Sequence, residues 1–224
     1  MLFRRYISFL YKEGLIYENI INLVKLQYSS IYSIKKYLYT IISIALIMTV
    51  FDRNFIMFAS GMVTMGLIYS TAFYEEKSKM NYLIYSLPVK PKDFVLAKYI
   101  YGFLNTLLVM LLSGILFMVL NILNIGRFTQ LTFGSISLST FFIGFIITIL
   151  VLPFALILGF EKGRLIIVFL VVLPICFAQS LIQCIGSINI NPTITLIAIT
   201  LFVIISTVLS YMITSNLYIK KDIN

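Results

Sequence analysis

Cys176, Gln179, Ser180 and Gln183 lie in one apolar stretch at i, i+3, i+4 and i+7, so they share one face of a helix. Each glutamine brings donors and acceptors that hydrocarbon cannot satisfy. Such a face either lines a polar pathway or bonds a neighbouring helix. Asn105, with Thr106 and Ser113, makes a weaker set of the same kind. Neither set is a catalytic constellation. The chain has no histidine, hence no imidazole to serve as base, zinc ligand or haem ligand. No aspartate pair falls within an apolar stretch, so no catalytic, metal-binding or cofactor-binding residue is assigned. Cys176 and Cys184 are eight residues apart, about 12 Å along a helix. That separation is too large for a bridge within the helix, and both read as small buried hydrophobes.

The charged residues concentrate in 75–98, EEKSKMNYLIYSLPVKPKDFVLAK, which holds three of the eight acids and five of the seventeen bases. Met80, Leu83, Ile84 and Leu87 form an apolar stripe at helical spacing. Glu75 and Glu76 suit the start of that helix, where the macrodipole is positive. Pro88 ends it, and Pro91 opens a second helix running through Phe94, Val95 and Leu96. The striped face of this hairpin needs either a groove on another protein or the lipid surface.

The elements that position these residues follow from composition. Of 224 residues, 61% are hydrophobic and 11% charged, with mean hydropathy +1.04; a soluble domain carries about 25% charged residues. Six apolar runs, 34–51, 55–74, 99–123, 136–160, 165–185 and 193–217, are each about long enough to cross a hydrocarbon core of about 30 Å. The expected fold is all-α and polytopic, with residues 1–33 as a cytoplasmic N-terminus, 34–217 as the membrane domain and 218–224 as a tail. Placing both termini in the cytoplasm puts 15 basic residues inside and leaves Arg53 and Arg127 outside. The net charge of +9 is therefore a topology signal and not a mark of a nucleic-acid partner. Asp52, Arg53 and Asn54 form a tight outer turn, making the first two spans a hairpin.

Residues 19–36 are amphipathic. Ile20, Ile21, Leu23, Val24, Tyr28 and Ile31 share one side, with Asn22, Lys25, Ser29, Ser33 and Lys36 opposite, while Leu26, Gln27 and Lys35 break the pattern. The expectation is a helix lying on the inner leaflet in contact with lipid. Pro153 and Pro174 fall inside spans, where each removes a backbone donor and kinks its helix. No acid lies at mid-membrane to hold a coupling ion, and no GxxxxGK[ST] loop is present to cradle a nucleotide. Driven transport would take its energy from another chain, and the striped hairpin is the natural docking point.

Tyr74-Glu75-Glu76-Lys77, then Ser86-Leu87-Pro88-Val89, then Val95-Leu96-Ala97-Lys98-Tyr99 resemble the motif of bacterial ABC transporter type-2 permeases. Lys90 and Pro91 depart from the serine many relatives carry after Leu-Pro-Val. The six-span plan, interfacial helix and short basic tail extend the resemblance over nearly the whole chain. It implies two permease subunits, identical or different, above two cytosolic ATPase subunits that bind ATP and magnesium, in a bacterial plasma membrane. It implies that 75–98 is the coupling hairpin. Met80, Leu83, Ile84 and Leu87 would seat in the ATPase, rimmed by Glu75, Glu76, Lys77 and Lys79. Glu161, Lys162, Gly163 and Arg164 would make a second contact or serve as a plain inner turn. The small residues Ser60, Gly61, Thr64 and Gly66 would mark a dimer seam, and Gln179, Ser180, Gln183 and Asn105 the substrate pathway. The apolar span faces suit a hydrophobic or amphipathic cargo; the resemblance implies outward export and is compatible with amphipathic peptides, lipids or lipophilic antibiotics, peptides foremost. A passive channel or membrane scaffold without ATP coupling stays open as the alternative.

Overall fold

The computed structural model describes residues 20–31, 35–78, 90–125, 132–159, 163 and 192–220. Regular structure among them is helical: α1 (Ile20–Ile31), α2 (Lys35–Phe51), α3 (Phe55–Lys77), α4 (Pro91–Ile122), α5 (Phe133–Leu158) and α6 (Pro192–Ile219). Phe55–Lys77, Pro91–Ile122, Phe133–Leu158 and Thr200–Ile219 are long and apolar enough to span a membrane, and α1 with α2, bent by 76°, makes a fifth candidate. The expected span 165–185 lies outside the described residues. So do Lys79, Met80, Leu83, Ile84 and Leu87, the charged residues Glu161, Lys162 and Arg164, and the Cys176, Gln179, Ser180, Gln183 face. The described part thus carries four or five spans of the six expected.

Helix lengths differ from the apolar runs in an informative way. At 17 residues, α2 measures about 25 Å, less than the hydrocarbon core. α4 has 32 residues, about 48 Å, because Pro91 at its first turn starts it well before the apolar run begins. Its first turns therefore extend beyond the hydrocarbon, as the Pro91 signal predicts. Outward-facing Leu111, Leu112, Ile115, Phe202 and Ile205 are exposed, as lipid contact requires.

The core is stacked along the bundle. At one end Ile20, Leu23, Phe94, Val95, Leu156 and Tyr218 join α1, α4, α5 and α6. In the middle Ile68 of α3 packs on Ile147, Val151, Leu152 and Ala155 of α5. At the other end Ile56, Phe117, Leu120 and Ile136 join the ends of α3, α4 and α5. Antiparallel α4 and α5 meet through two reciprocal glycine contacts. A Cβ on Gly102 would lie 2.6 Å from Thr148 Cγ2, and one on Gly144 2.5 Å from Thr106 Cγ2. Thr106 and Thr148 return their hydroxyls to the carbonyls of Gly102 and Gly144, at 2.9 and 2.8 Å. This is small-residue packing, which brings membrane helices together where the lipid supplies no hydrophobic drive.

The expected dimer seam on α3 is corrected here. A Cβ on Gly61 would meet Ile143 at 3.1 Å and one on Gly66 would meet Ile41 at 2.7 Å, while Ser60 and Thr64 are buried. Among the described residues the stripe's glycines pack within the chain, against α5 and α2.

Two backbone problems are solved by side chains from distant elements. Pro153 cannot donate to the carbonyl of Ile149, four residues earlier. Ser210 Oγ of α6 donates to that oxygen instead, at 3.0 Å. With the Ser210 hydrogen so used, Tyr99 Oη of α4 donates to Ser210 Oγ at 2.7 Å, tying three helices at the proline. At the far end α4 closes in a Schellman turn: Asn124 has φ 52°, Ile125 N–H donates to Leu120 O at 3.1 Å and Asn124 N–H to Asn121 O at 3.3 Å. Arg53, from the α2–α3 turn, donates to Ile125 O (2.8 Å), Asn121 Oδ1 (2.5 Å) and Leu120 O (3.1 Å). Expected as an exposed hairpin tip, it is buried, because the negative end of the α4 dipole holds a cation.

Two substitutions test this packing. Gly144→Leu drives a side chain into Thr106 and should lower stability by about 1–3 kcal/mol, read as a lower melting midpoint in detergent. Ser210→Ala strands Ile149 O and should cost about 1–3 kcal/mol. Adding Pro153→Ala restores the missing N–H and should recover most of that loss in a double-mutant cycle.

Candidate functional site

Three helices converge on one ammonium group. Lys98, two turns into α4, donates to Glu75 Oε1 of α3 at 2.6 Å and to Gln27 Oε1 of α1 at 2.7 Å. Side-chain exposure is 2% for Lys98 and 6% for Glu75, so both charges are out of water. The Phe94 ring centroid lies 5.7 Å from Nζ and offers its π-face to the cation. Because lysine has donors only, the Gln27 oxygen must face it. The Gln27 Nε2 group is then buried with no partner among the described residues.

Consecutive residues of α1 make consecutive contacts along α4. Tyr28 Oη donates to Asn105 Oδ1 at 3.3 Å, and the Tyr28 and Tyr101 rings meet edge to face at 5.1 Å. Asn105 is buried, and its Nδ2 also lacks a partner among the described residues. Of the pathway residues inferred from sequence it is the one described, and it faces α1. On the other side of α3, Glu76 approaches the end of α5. Gly159 has φ 78°, and a Cβ there would lie 3.2 Å from Glu76 Oε2. Gly163 N–H donates to Gly159 O at 3.0 Å, so this carboxylate abuts a glycine that also accepts from Gly163. Lys77 is exposed, with Nζ 5.8 Å from the Phe73 centroid.

These positions revise three expectations. Glu75 and Glu76 occupy the last turn of α3 and not the start of a helix, because α3 runs on to Lys77. The macrodipole is negative there, and Glu75 is answered by Lys98 instead. Glu75 is also not part of an exposed rim, whereas Glu76 and Lys77 are partly or fully accessible. Lys98, counted as a surface topology charge, is a buried ion-pair partner. One sign in the sequence pointed this way: Gln27 interrupts the apolar side of α1, and it does so at the residue that meets Lys98.

Two clefts open on the bundle. One of about 340 Å³ lies between α2, α3 and α4, and includes Thr49, Ser60 and Ser113 among apolar neighbours. The other, about 230 Å³, lies between α4, α5 and α6 and is lined by Tyr99, Phe103, Thr106, Phe145 and Thr148 among others. Among the described residues no charged side chain lines either. Among the described residues no group of three His, Cys, Asp or Glu comes together.

A buried pair is strongly stabilising only relative to its broken form. Glu75→Gln leaves Lys98 uncompensated and should cost about 3–5 kcal/mol, whereas Glu75→Leu with Lys98→Met should be neutral or up to about 4 kcal/mol more stable. Melting midpoints of the three proteins in detergent check the contrast.

No curated protein and no solved structure matches the chain. Residues 22–219 match the family described as ABC-2 family transporter protein, an interval from α1 to the end of α6 that includes the Gln27, Glu75 and Lys98 cluster. This chain belongs to the ABC-2 family of transporter membrane proteins.

Proposed function

We infer that the chain is the non-catalytic permease subunit of an ATP-driven exporter, paired with a second permease subunit and powered by cytosolic ATPase subunits that bind ATP and magnesium. The observation that carries the reading is the family match across 22–219. The geometry at the base of 79–89 supports it. Glu75 and Lys98 close that connection at its two ends, so a load on the intervening residues bears directly on α3 and α4. Met80, Leu83, Ile84 and Leu87 seat in the ATPase, and Glu161, Lys162 and Arg164 form a second contact that Glu76 buttresses through Gly159. Glu76 and Lys77 supply charge beside the docking site.

The end of the bundle holding Glu75, Lys98 and Tyr218 faces the cytoplasm of a bacterial cell, with Arg53 and Asn124 at the outer surface. The exposed Lys25, Lys35, Lys36, Lys77, Lys90, Lys92 and Lys220 all sit at the first of these ends, as retention of basic residues inside requires. The cargo is hydrophobic or amphipathic, a peptide foremost, and the uncharged lining of both clefts supports that class. The pathway itself runs along Gln179, Ser180 and Gln183 of the span at 165–185.

The test is purification of the tagged chain in mild detergent with identification of co-purifying proteins. A chain bearing GxxxxGK[ST] should come with it, and its ATP hydrolysis should rise when the permease is present. Leu83→Glu should leave insertion intact and cut that stimulation on the order of tenfold or more. Unchanged stimulation removes the docking assignment. Conductance by the purified permease alone, with no ATPase recovered, favours a passive channel.

A further inference from the structure

Adjacent carboxylates at the end of α3 reach in different directions, Glu76 to the end of α5 at Gly159 and Glu75 to Lys98. Lys98 carries the connection further, because its second acceptor, Gln27, belongs to α1. Its two bonds are not equivalent. Both bonds have the ammonium as a charged donor, but only the one to Glu75 adds the attraction of an opposite full charge. Gln27 offers a neutral oxygen, while its own amide N–H groups are buried without an acceptor among the described residues. A buried polar set only partly satisfied among the described residues, where apolar side chains would pack at least as stably, is a costly way to build a static junction. It is a suitable way to build one that opens at its weaker bond. Among the described residues α1 is otherwise attached by Ile20 and Leu23 against Phe94 and Val95, the Tyr28–Tyr101 ring contact and the long Tyr28–Asn105 bond of 3.3 Å.

We propose that Lys98 is a positioning residue that acts as a catch between the 79–89 connection and α1: displacement of α3 and α4 keeps Lys98 on Glu75, breaks its bond to Gln27 and frees α1 to reorient at the membrane surface. The proposal rests on the ATP-driven reading above. α1 is then a moving part of the transport cycle, driven from the connection through one side chain. The charge stays paired throughout, since only the neutral acceptor is exchanged. The freed Gln27 amide gains access to water, which satisfies the N–H groups that find no acceptor among the described residues of the closed state.

The experiment uses the full complex of permease and co-purified ATPase in phosphatidylglycerol nanodiscs, with Cys176→Ser and Cys184→Ser as background. Spin labels go on Lys25→Cys of α1 and Lys92→Cys of α4, both exposed positions. In the unaltered cluster, trapping with ATP and vanadate should change the α1–α4 distance distribution relative to the nucleotide-free complex. Glu75→Leu with Lys98→Met should keep the melting midpoint at or above the parent value, yet abolish the distance change and reduce the permease's stimulation of ATP hydrolysis on the order of tenfold. Gln27→Leu is the second variant. It leaves the ion pair intact and removes the catch, so α1 should show one distribution with or without nucleotide.

An α1–α4 distance that is identical in both nucleotide states of the parent complex overturns the proposal. So does normal nucleotide response in Gln27→Leu or in a stable double variant, because the cluster would then be structural only. A parent permease that stimulates no ATPase overturns the ATP-driven reading instead, and the catch falls with it. That failure is recognised before any variant is made.

Discussion

Hydrocarbon offers no hydrogen bonds, so each polar group at membrane depth must find its partner within the protein. Regular helix satisfies most of this requirement, and the described residues are accordingly helical. Where the helix ladder fails, the side chains that repair it are also the ones that hold the bundle together. Pro153 frees the carbonyl of Ile149, and Ser210 and Tyr99 close the gap from two other helices. The last carbonyls of α4 are met by the Asn124 turn and by Arg53 from the α2–α3 connection. Tertiary order in this protein follows largely from where backbone groups would otherwise go unbonded.

Close approach of the helices has a separate cause. Lipid tails are as apolar as the side chains they touch, so burial alone does little to pair helices. Gly102 against Thr148 and Gly144 against Thr106 let α4 and α5 backbones approach, and each threonine bonds back to its own helix so that its hydroxyl is satisfied. Gly61 and Gly66 do the same for α3 against α5 and α2. A small-residue stripe therefore marks a packed face without saying whether the partner is a helix of the same chain or of another.

Membership of the ABC-2 family agrees with the resemblance carried by Tyr74–Lys77, Ser86–Val89 and Val95–Tyr99. The structure adds a physical reason for two of those positions. Glu75 and Lys98 are the two ends of one connection, and they meet in a buried pair that also holds α1. Neither charge is a surface feature, although both belong to a stretch whose other described charges are partly or fully accessible. Glu76 and Lys77, one and two residues further along α3, turn to other surroundings.

By itself the sequence determined that the chain is helical and membrane-spanning, where α3 to α6 run to within a few residues, and that Pro91 begins α4. These follow from local properties, namely apolar runs, proline geometry and the lack of water in the bilayer. It also held the anomaly of Gln27, a polar residue on an apolar side. Only the tertiary structure decided what Gln27 meets, since Lys98 is 71 residues away and Asn105 is 77 from Tyr28. It likewise decided that Arg53 is buried and that the α3 glycines pack inward. A charge beside an apolar run looks the same in sequence whether it snorkels to water or pairs with another helix. The choice depends on which helices pack together, and no local pattern encodes that.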